Sequence, residues 1–382
     1  MKGEIIIIYL DNASGTKTFD SVNDVMLDVL KNHWGNPSAL YELGDDARKI
    51  IERVRDQIAE DINASPEEVI FTSGAAEANS LAIDGYTSAN CAMCLTTKME
   101  HSSINDASTI GLYKDIKNDR NGFVKMNHIT TPYKRSVLIS VGAANSEIGV
   151  IQDLKEISKI IHESGNLFHT DATQLFPERR LDVQELDIDM MSVSAQKFNG
   201  PRGTGFLYVR NGINLDPIIY GSQEGGLRGG TYNTAAIAGM GEALRCTRRF
   251  KKTEKKMYVS GYIEHVRNKL LDKLMLIPGA TLNGPPVGPN RLANNINITV
   301  DGVNADRLVT LCSLYGIYIG KGSACKSYDP KPSHVLKAIG LSDEQCFNTV
   351  RITVGYFNTE EEVNRAAEII TNLVEKIRNE EE

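Results

Sequence analysis

Across the first two-thirds of the chain, short apolar runs alternate with amphipathic stretches. Residues 67–72, 92–97, 137–141, 166–170, 190–193 and 205–209 read as strands. Residues 75–86, 101–110 and 154–163 carry the wider apolar spacing of helices. This alternation predicts an α/β domain with a mostly parallel sheet, and ligands bind at the carboxyl ends of such strands. Near residue 250 the pattern changes, and a basic helix is expected to run to about residue 276. Pro278-Gly279 and Asn283-Gly284-Pro285-Pro286 then punctuate the chain. Alternation over 295–300 and 350–354, with a closing helix over 360–378, predicts a smaller α+β domain.

Composition narrows the class. The chain has 382 residues, 41% hydrophobic and 24% charged, which suits a globular protein of two domains. Its formal net charge is −7, and no extended basic tract marks a nucleic-acid surface. Lys251-Lys252 and Lys255-Lys256 read as a solvated helix face. The longest aliphatic run, residues 5–8, is too short to cross a bilayer. Asp11 and Asn12 follow it too soon for a signal peptide, so a cytoplasmic location is the expectation. Six cysteines in a chain of this length do not form a disulfide framework. Cys91 and Cys94 form a Cys-x-x-Cys with no second pair nearby, in a stretch that reads as a buried strand. They are expected to pack in the core, as are Cys246, Cys312 and Cys346, and no metal site is expected.

Three places can carry chemistry. Thr72-Ser73-Gly74-Ala75-Ala76-Glu77 lies between a strand and a helix, where free N–H groups favour an anion such as phosphate. The plainer alternative is a tight turn capped by Ser73. No Gly-Lys-Ser/Thr follows, which argues against a nucleoside triphosphate. Next, Asp171 and Lys197 each follow an apolar strand. A carboxylate and a lysine brought to one cleft suit pyridoxal phosphate, the carboxylate facing the ring nitrogen and the lysine forming the Schiff base. A surface lysine and a capping aspartate are the plainer alternative. Finally, Cys325 sits in Lys321-Gly322-Ser323-Ala324-Cys325-Lys326-Ser327, a small, polar stretch expected to be mobile and exposed. Its flanking lysines favour the thiolate.

The ordered motifs resemble the class V aminotransferases, and within them the NifS/IscS-type cysteine desulfurases. They include Tyr9-Leu10-Asp11-Asn12-Ala13, Gly35-Asn36-Pro37-Ser38, Thr72-Ser73-Gly74-Ala75, Glu100-His101 and Glu147-Ile148-Gly149-Val150. Asp171-Ala172-Thr173-Gln174, Lys197 with Gly200-Pro201-Arg202-Gly203, Arg228-Gly229-Gly230-Thr231, Gly322-Ser323-Ala324-Cys325 and Val350-Arg351 follow in order. The matches run nearly end to end.

The resemblance implies a fold-type I pyridoxal-phosphate transferase with a seven-stranded sheet. Residues 15–250 would form the large cofactor-binding domain, and residues 1–14 with 251–382 the small one. By the same resemblance Lys197 is the Schiff-base lysine and the base that moves the α-proton. Asp171 pairs with the pyridine nitrogen, Gln174 with the ring hydroxyl, and His101 stacks on the ring. Ala75, Ala76 and Ser194 surround the phosphate, with Thr231 reaching in from the second subunit of a homodimer. Asn12 and Arg351 bind substrate, Arg351 by clamping its carboxylate. Cys325 takes sulfur from L-cysteine as a persulfide, leaving L-alanine. The length between Cys325 and Ser333 matches the longer-loop desulfurases, which pass sulfur to scaffold proteins for iron–sulfur clusters or to other acceptors.

Five positions depart from that pattern. Ala76 stands in place of a threonine and Gln196 in place of a histidine, both phosphate contacts. Ser146 replaces an asparagine near the ring hydroxyl, although Asn145 is adjacent. Tyr41 and Gln223 each replace a histidine. A lost hydrogen bond to a charged group costs roughly 1.5–3 kcal/mol. The departures therefore bear on substrate choice more than on cofactor identity. Rival readings are a transaminase or lyase on the same fold, including a selenocysteine lyase, and a non-catalytic interaction protein.

Overall fold

The computed structural model describes residues 7–105, 112–129, 137–249, 259–321 and 331–381. Its strands are β1 (Ile8–Tyr9), β2 (Val69–Thr72), β3 (Met93–Thr97), β4 (Leu112–Ile116), β5 (Val137–Ser140) and β6 (Leu167–Asp171). They continue as β7 (Met190–Ser194), β8 (Gly205–Val209), β9 (Ala280–Leu282), β10 (Asn295–Val300), β11 (Ile317–Tyr318) and β12 (Thr349–Thr353).

Seven of these strands form one sheet in the order β2-β8-β7-β6-β5-β3-β4. β8 runs antiparallel to both β2 and β7, and the remaining pairs are parallel. Every residue of β5, β7 and β8 is buried. Continuous burial is what helices on both faces of a parallel sheet impose, and it explains why these strands are mainly apolar, with only small serines among the polar residues of β5 and β7. The helix Leu154–Glu163 shows how a cover helix is specified. The Asp153 side chain accepts the Glu156 N–H as its cap, and Leu154, Ile157, Ser158 and Ile161 form the buried stripe. Truncating Ile157 or Ile161 to alanine would cost about 2–5 kcal/mol.

A second core lies beside the first. Ile8 and Leu10 pack there with Leu270, Ile296, Ile298, Val350, Ile352 and Val374. It is built on a three-stranded antiparallel sheet, β12-β10-β9, and on the parallel pair β1-β11. The start of the chain thus closes the core made by its end, and Asp11 reaches the neighbourhood of β12 by a bridge to Thr353.

Several local expectations change. Residues 66–68 form a short helical turn held by a Ser65–Glu68 capping box, so the strand starts at Val69. The helical run expected over 75–86 continues to Asn90, with a wider π turn over Leu81–Gly85. The helix Thr234–Arg249 was not legible, because its alanines and glycines give little apolar contrast. The basic helix corresponds to Val259–Leu274, and its expected start lies outside the described residues. Cys91 is corrected most clearly. It is exposed, with φ 48°, and ends the preceding helix instead of packing in the strand. Cys94, Cys312 and Cys346 are buried and Cys246 is partly so. Among the described residues no helix is long and apolar enough to cross a membrane.

Candidate active site

The carboxyl ends of β3, β6 and β7 open into a cavity of about 370 Å³. Asp171 is the last residue of β6 and Ser194 the last of β7. A single 3-10 turn, Ala195–Lys197, carries the chain on from β7 and turns Lys197 into the cavity. The Lys197 Nζ donates to the carbonyls of Ala13 at 2.7 Å and Ser14 at 2.8 Å. Gln174 Nε2 donates to the same Ala13 carbonyl at 3.2 Å. The amine is thus drawn toward the segment joining the two cores.

Around Asp171 the bonding is dense. Its Oδ1 accepts the Thr173 N–H at 3.0 Å, and its Oδ2 accepts the Asn79 amide at 2.9 Å. His101 is exposed at the cavity wall, with Nδ1 accepting the Ser103 N–H at 3.1 Å. Beneath it Glu100 is buried, taking the Thr97 hydroxyl at 2.8 Å and the Gly142 N–H at 3.0 Å. Burial raises the Glu100 carboxyl to about 7, opposed by those two hydrogen bonds and reinforced by the nearby Asp171 charge. His169, two residues before Asp171, is buried between the Ser140 and Ser192 hydroxyls at 2.8 and 3.0 Å. Burial lowers it to about 4, so it stays neutral.

The opposite end is more open. Gly74 begins the helical run with φ 147°, a conformation that favours glycine. Gly205 lets this turn sit against the sheet, since a Cβ there would fall 2.8 Å from Gly74 Cα. The N-cap position falls on Gly74, so Ser73 is not the cap. Instead its N–H donates to Glu77 at 2.8 Å, and Arg228 holds Glu77 at 2.8 Å. Ala75, Ala76, Ser194 and Gln196 all line this end, and Ala76 is exposed. Thr231 does not line the cavity and lies instead in a surface groove with Val29, His33 and Trp34.

Arg351 enters from the small sheet and is 2% exposed. Its Nη2 donates to Asp11 Oδ1 at 2.8 Å and Ser14 Oγ at 2.7 Å, and its Nη1 to the Ser146 carbonyl at 3.4 Å. Gly320 makes this approach possible, since a Cβ there would stand 2.8 Å from Asp11 Oδ1. Ser146 lines the cavity. Asn145 cannot stand in for an asparagine at 146: its amide donates to Met99 O, and its Oδ1 accepts from Glu147 and Ile148. Asn12 is turned away, its Nδ2 donating to Thr353 O at 2.9 Å, and borders a small recess behind Lys197.

Cys325 lies outside the described residues. Described residues before and after 322–330 contact residues that line the cavity. Gly320 pairs with Arg351 through two backbone bonds of 2.8 and 2.9 Å. His334 lines the cavity, with Nε2 3.0 Å from the Glu100 carbonyl oxygen. Asn79, Ser103, Asp11, Ser14 and His334 received no role from sequence reasoning. None of them carries a local signal that sets it apart, and Asn79 is one of three polar residues in the helix Ala75–Ser80.

The donor set fits pyridoxal phosphate: a lysine amine, a carboxylate with two N–H partners, and a glycine turn starting a helix, all on one cavity. Comparisons with known proteins point the same way. The model of the family described as aminotransferase class-V matches residues 8–366. The chain is 37% identical over 381 residues to "Cysteine desulfurase IscS 1" of Archaeoglobus fulgidus, covering 97% of this chain and 98% of that one. A solved "NIFS-LIKE PROTEIN" superposes with a TM-score of 0.88 at 28% identity, covering 97% of this chain and all of the other. A structure titled "SspA in complex with cysteine" reaches a TM-score of 0.77 at 30% identity, covering 92% of this chain and all of the other.

Proposed function

From the premise that the chain belongs to the class-V aminotransferase family and is a pyridoxal-phosphate-dependent cysteine desulfurase, we propose how its residues divide the work. Lys197 and Asp171 hold the cofactor, with Gln174, His101, Ala75, Ala76, Ser146, Ser194 and Gln196 around it. The observation that carries this reading is the convergence of the Lys197 amine and the Asp171 carboxylate on one cavity at adjacent strand ends. When bound, pyridoxal phosphate supplies an electron-withdrawing ring that lets an amino acid release its α-proton.

The chain's own groups do the rest. Arg351 orients the carboxylate of L-cysteine, exchanging one of its present acceptors for it. Lys197 Nζ takes the α-proton, with His101 at the cavity wall beside it. The Cys325 thiolate attacks the substrate sulfur. A sulfur–sulfur bond forms, the substrate carbon–sulfur bond breaks, and a proton replaces sulfur on the carbon to give L-alanine. Three residues separate Lys321 from Cys325, and the four steps between them span at most roughly 13–14 Å when extended. On the two sides of that segment Gly320 pairs with Arg351 and His334 lies against Glu100, and Arg351 and Glu100 both line the cavity.

The second subunit completes the phosphate end. Thr231 lies away from its own cavity, in a groove beside Trp34, which is 70% exposed. Leu40 and Tyr220 are 98% and 86% exposed, apolar surface of the kind an interface covers. A homodimer would bury it and bring Thr231 from one copy to the cavity of the other. The persulfide then passes to an iron–sulfur scaffold or another sulfur acceptor in the cytoplasm.

Alanine formation from L-cysteine tests the assignment. Lys197→Ala should abolish it together with the colour of the lysine-bound cofactor. Cys325→Ser should abolish it and keep the colour. A Cys325→Ser enzyme that turns over normally would overturn the role given to Cys325.

A further inference from the structure

Asn79 is fully buried in the helix Ala75–Ser80, one turn below the start of the run. Its Nδ2 donates to Asp171 Oδ2 at 2.9 Å and to Ser103 Oγ at 2.9 Å. That hydroxyl is 2.8 Å from His101 Nδ1. The same ring nitrogen accepts the Ser103 N–H, so it is the lone-pair nitrogen, and the proton of the neutral ring sits on Nε2. One amide group therefore joins the carboxylate below the cavity to the histidine at its wall.

The orientation of that amide is fixed by charge. Turning it over would set its carbonyl oxygen against the Asp171 carboxylate. As it stands, Asn79 Oδ1 has no hydrogen-bond partner among the described residues and is buried. A buried unpaired carbonyl is unfavourable. A side chain that bears it while both amide hydrogens are used is held for what those hydrogens do.

We propose that Asn79 is a positioning residue that fixes the Asp171 carboxylate and, through Ser103, fixes His101 with its proton on Nε2. This rests on reading Asp171 as the partner of the cofactor's ring nitrogen. Neither Asn79 nor Ser103 touches substrate on this account. They act through the two groups they hold.

The test starts from holoenzyme and measures retained pyridoxal phosphate by equilibrium dialysis, with the thermal midpoint of each variant as a folding control. Asn79→Ala should weaken retention about tenfold, the effect of one hydrogen bond to a charged group. Asn79→Asp should weaken it further, because it places a second carboxylate against Asp171. A packing role gives the reverse order, since aspartate nearly matches asparagine in shape while alanine leaves a void. Ser103→Ala should leave retention within about twofold and lower kcat for alanine formation with KM unchanged. Observing Asn79→Asp milder than Asn79→Ala would overturn the proposal. So would a Ser103→Ala variant with unchanged kcat, a readout that survives even if Asn79 variants fail to fold. If Asp171→Ala itself retained the cofactor normally, the reading of Asp171 would fall first.

Discussion

Around Asp171, backbone and side-chain donors converge: Thr173 and Asn79 on its carboxylate, Thr97 and Gly142 on neighbouring Glu100, and two serines on His169. Around Gly74, the cavity is lined by Ala75 and Ala76, which bring no side-chain donor, and by Ser194 and Gln196. The Asp171 end is finished within one chain, because its donors are strand ends and buried helix residues fixed by the core. The Gly74 end relies on backbone N–H groups and lacks Thr231 from its own chain. On the proposed assignment of these two ends to ring and phosphate, the contrast makes the two binding tasks separable, so that substitutions should address each alone.

The largest expected effect breaks both ends together. Lys197→Ala should lower alanine formation by roughly 10³-fold, the scale of a lost proton-transfer group, measured as kcat with saturating pyridoxal phosphate. A pH series on Glu100 probes the Asp171 end next. Glu100 titrates at about 7 in the fold against 4.5 for the free group. Between those values the folded state keeps a proton that the unfolded state has released. Stability therefore falls as pH rises through that window, by on the order of 3 kcal/mol. Glu100→Gln should remove that fall, raising the unfolding midpoint at pH 8 (well above the window) and changing it little at pH 4.

Arg351→Lys serves as the control that belongs to neither end. A lysine cannot reproduce the two-pronged contact, so KM for L-cysteine should rise roughly tenfold or more while pyridoxal phosphate retention is unchanged. The smallest effect sharpens the Gly74 end. Ala76 is exposed at the cavity, so a hydroxyl there has room. Ala76→Thr should tighten pyridoxal phosphate about fivefold in an equilibrium titration, a little less than one full hydrogen bond to a charged group.

The same contrast governs what could be read from the sequence. Asp171 and Lys197 were legible because each follows an apolar strand, and strand ends in an α/β sheet converge. Asn79 was not, because its partners lie 24 and 92 residues away and nothing local points to them. The helix Leu154–Glu163 was legible to the residue, since its buried stripe and Asp153 cap agree. Thr234–Arg249 was hidden by its small residues. Cys91 misled because an apolar run gives no sign that its first residue is a helix end in a left-handed conformation. Asn12 sits within a family motif, yet tertiary packing directs its amide to Thr353.

The central claim is a chemical one, that a lysine at position 197 and a thiol at position 325 act on one substrate. Brief exposure of the holoenzyme to L-cysteine, followed by peptide mass analysis without reductant, reads it directly. The expected result is a gain of about 32 Da, one sulfur atom, on the peptide containing Cys325, absent in Lys197→Ala. An unmodified Cys325 peptide alongside continued alanine production, or the same gain in Lys197→Ala, would contradict it.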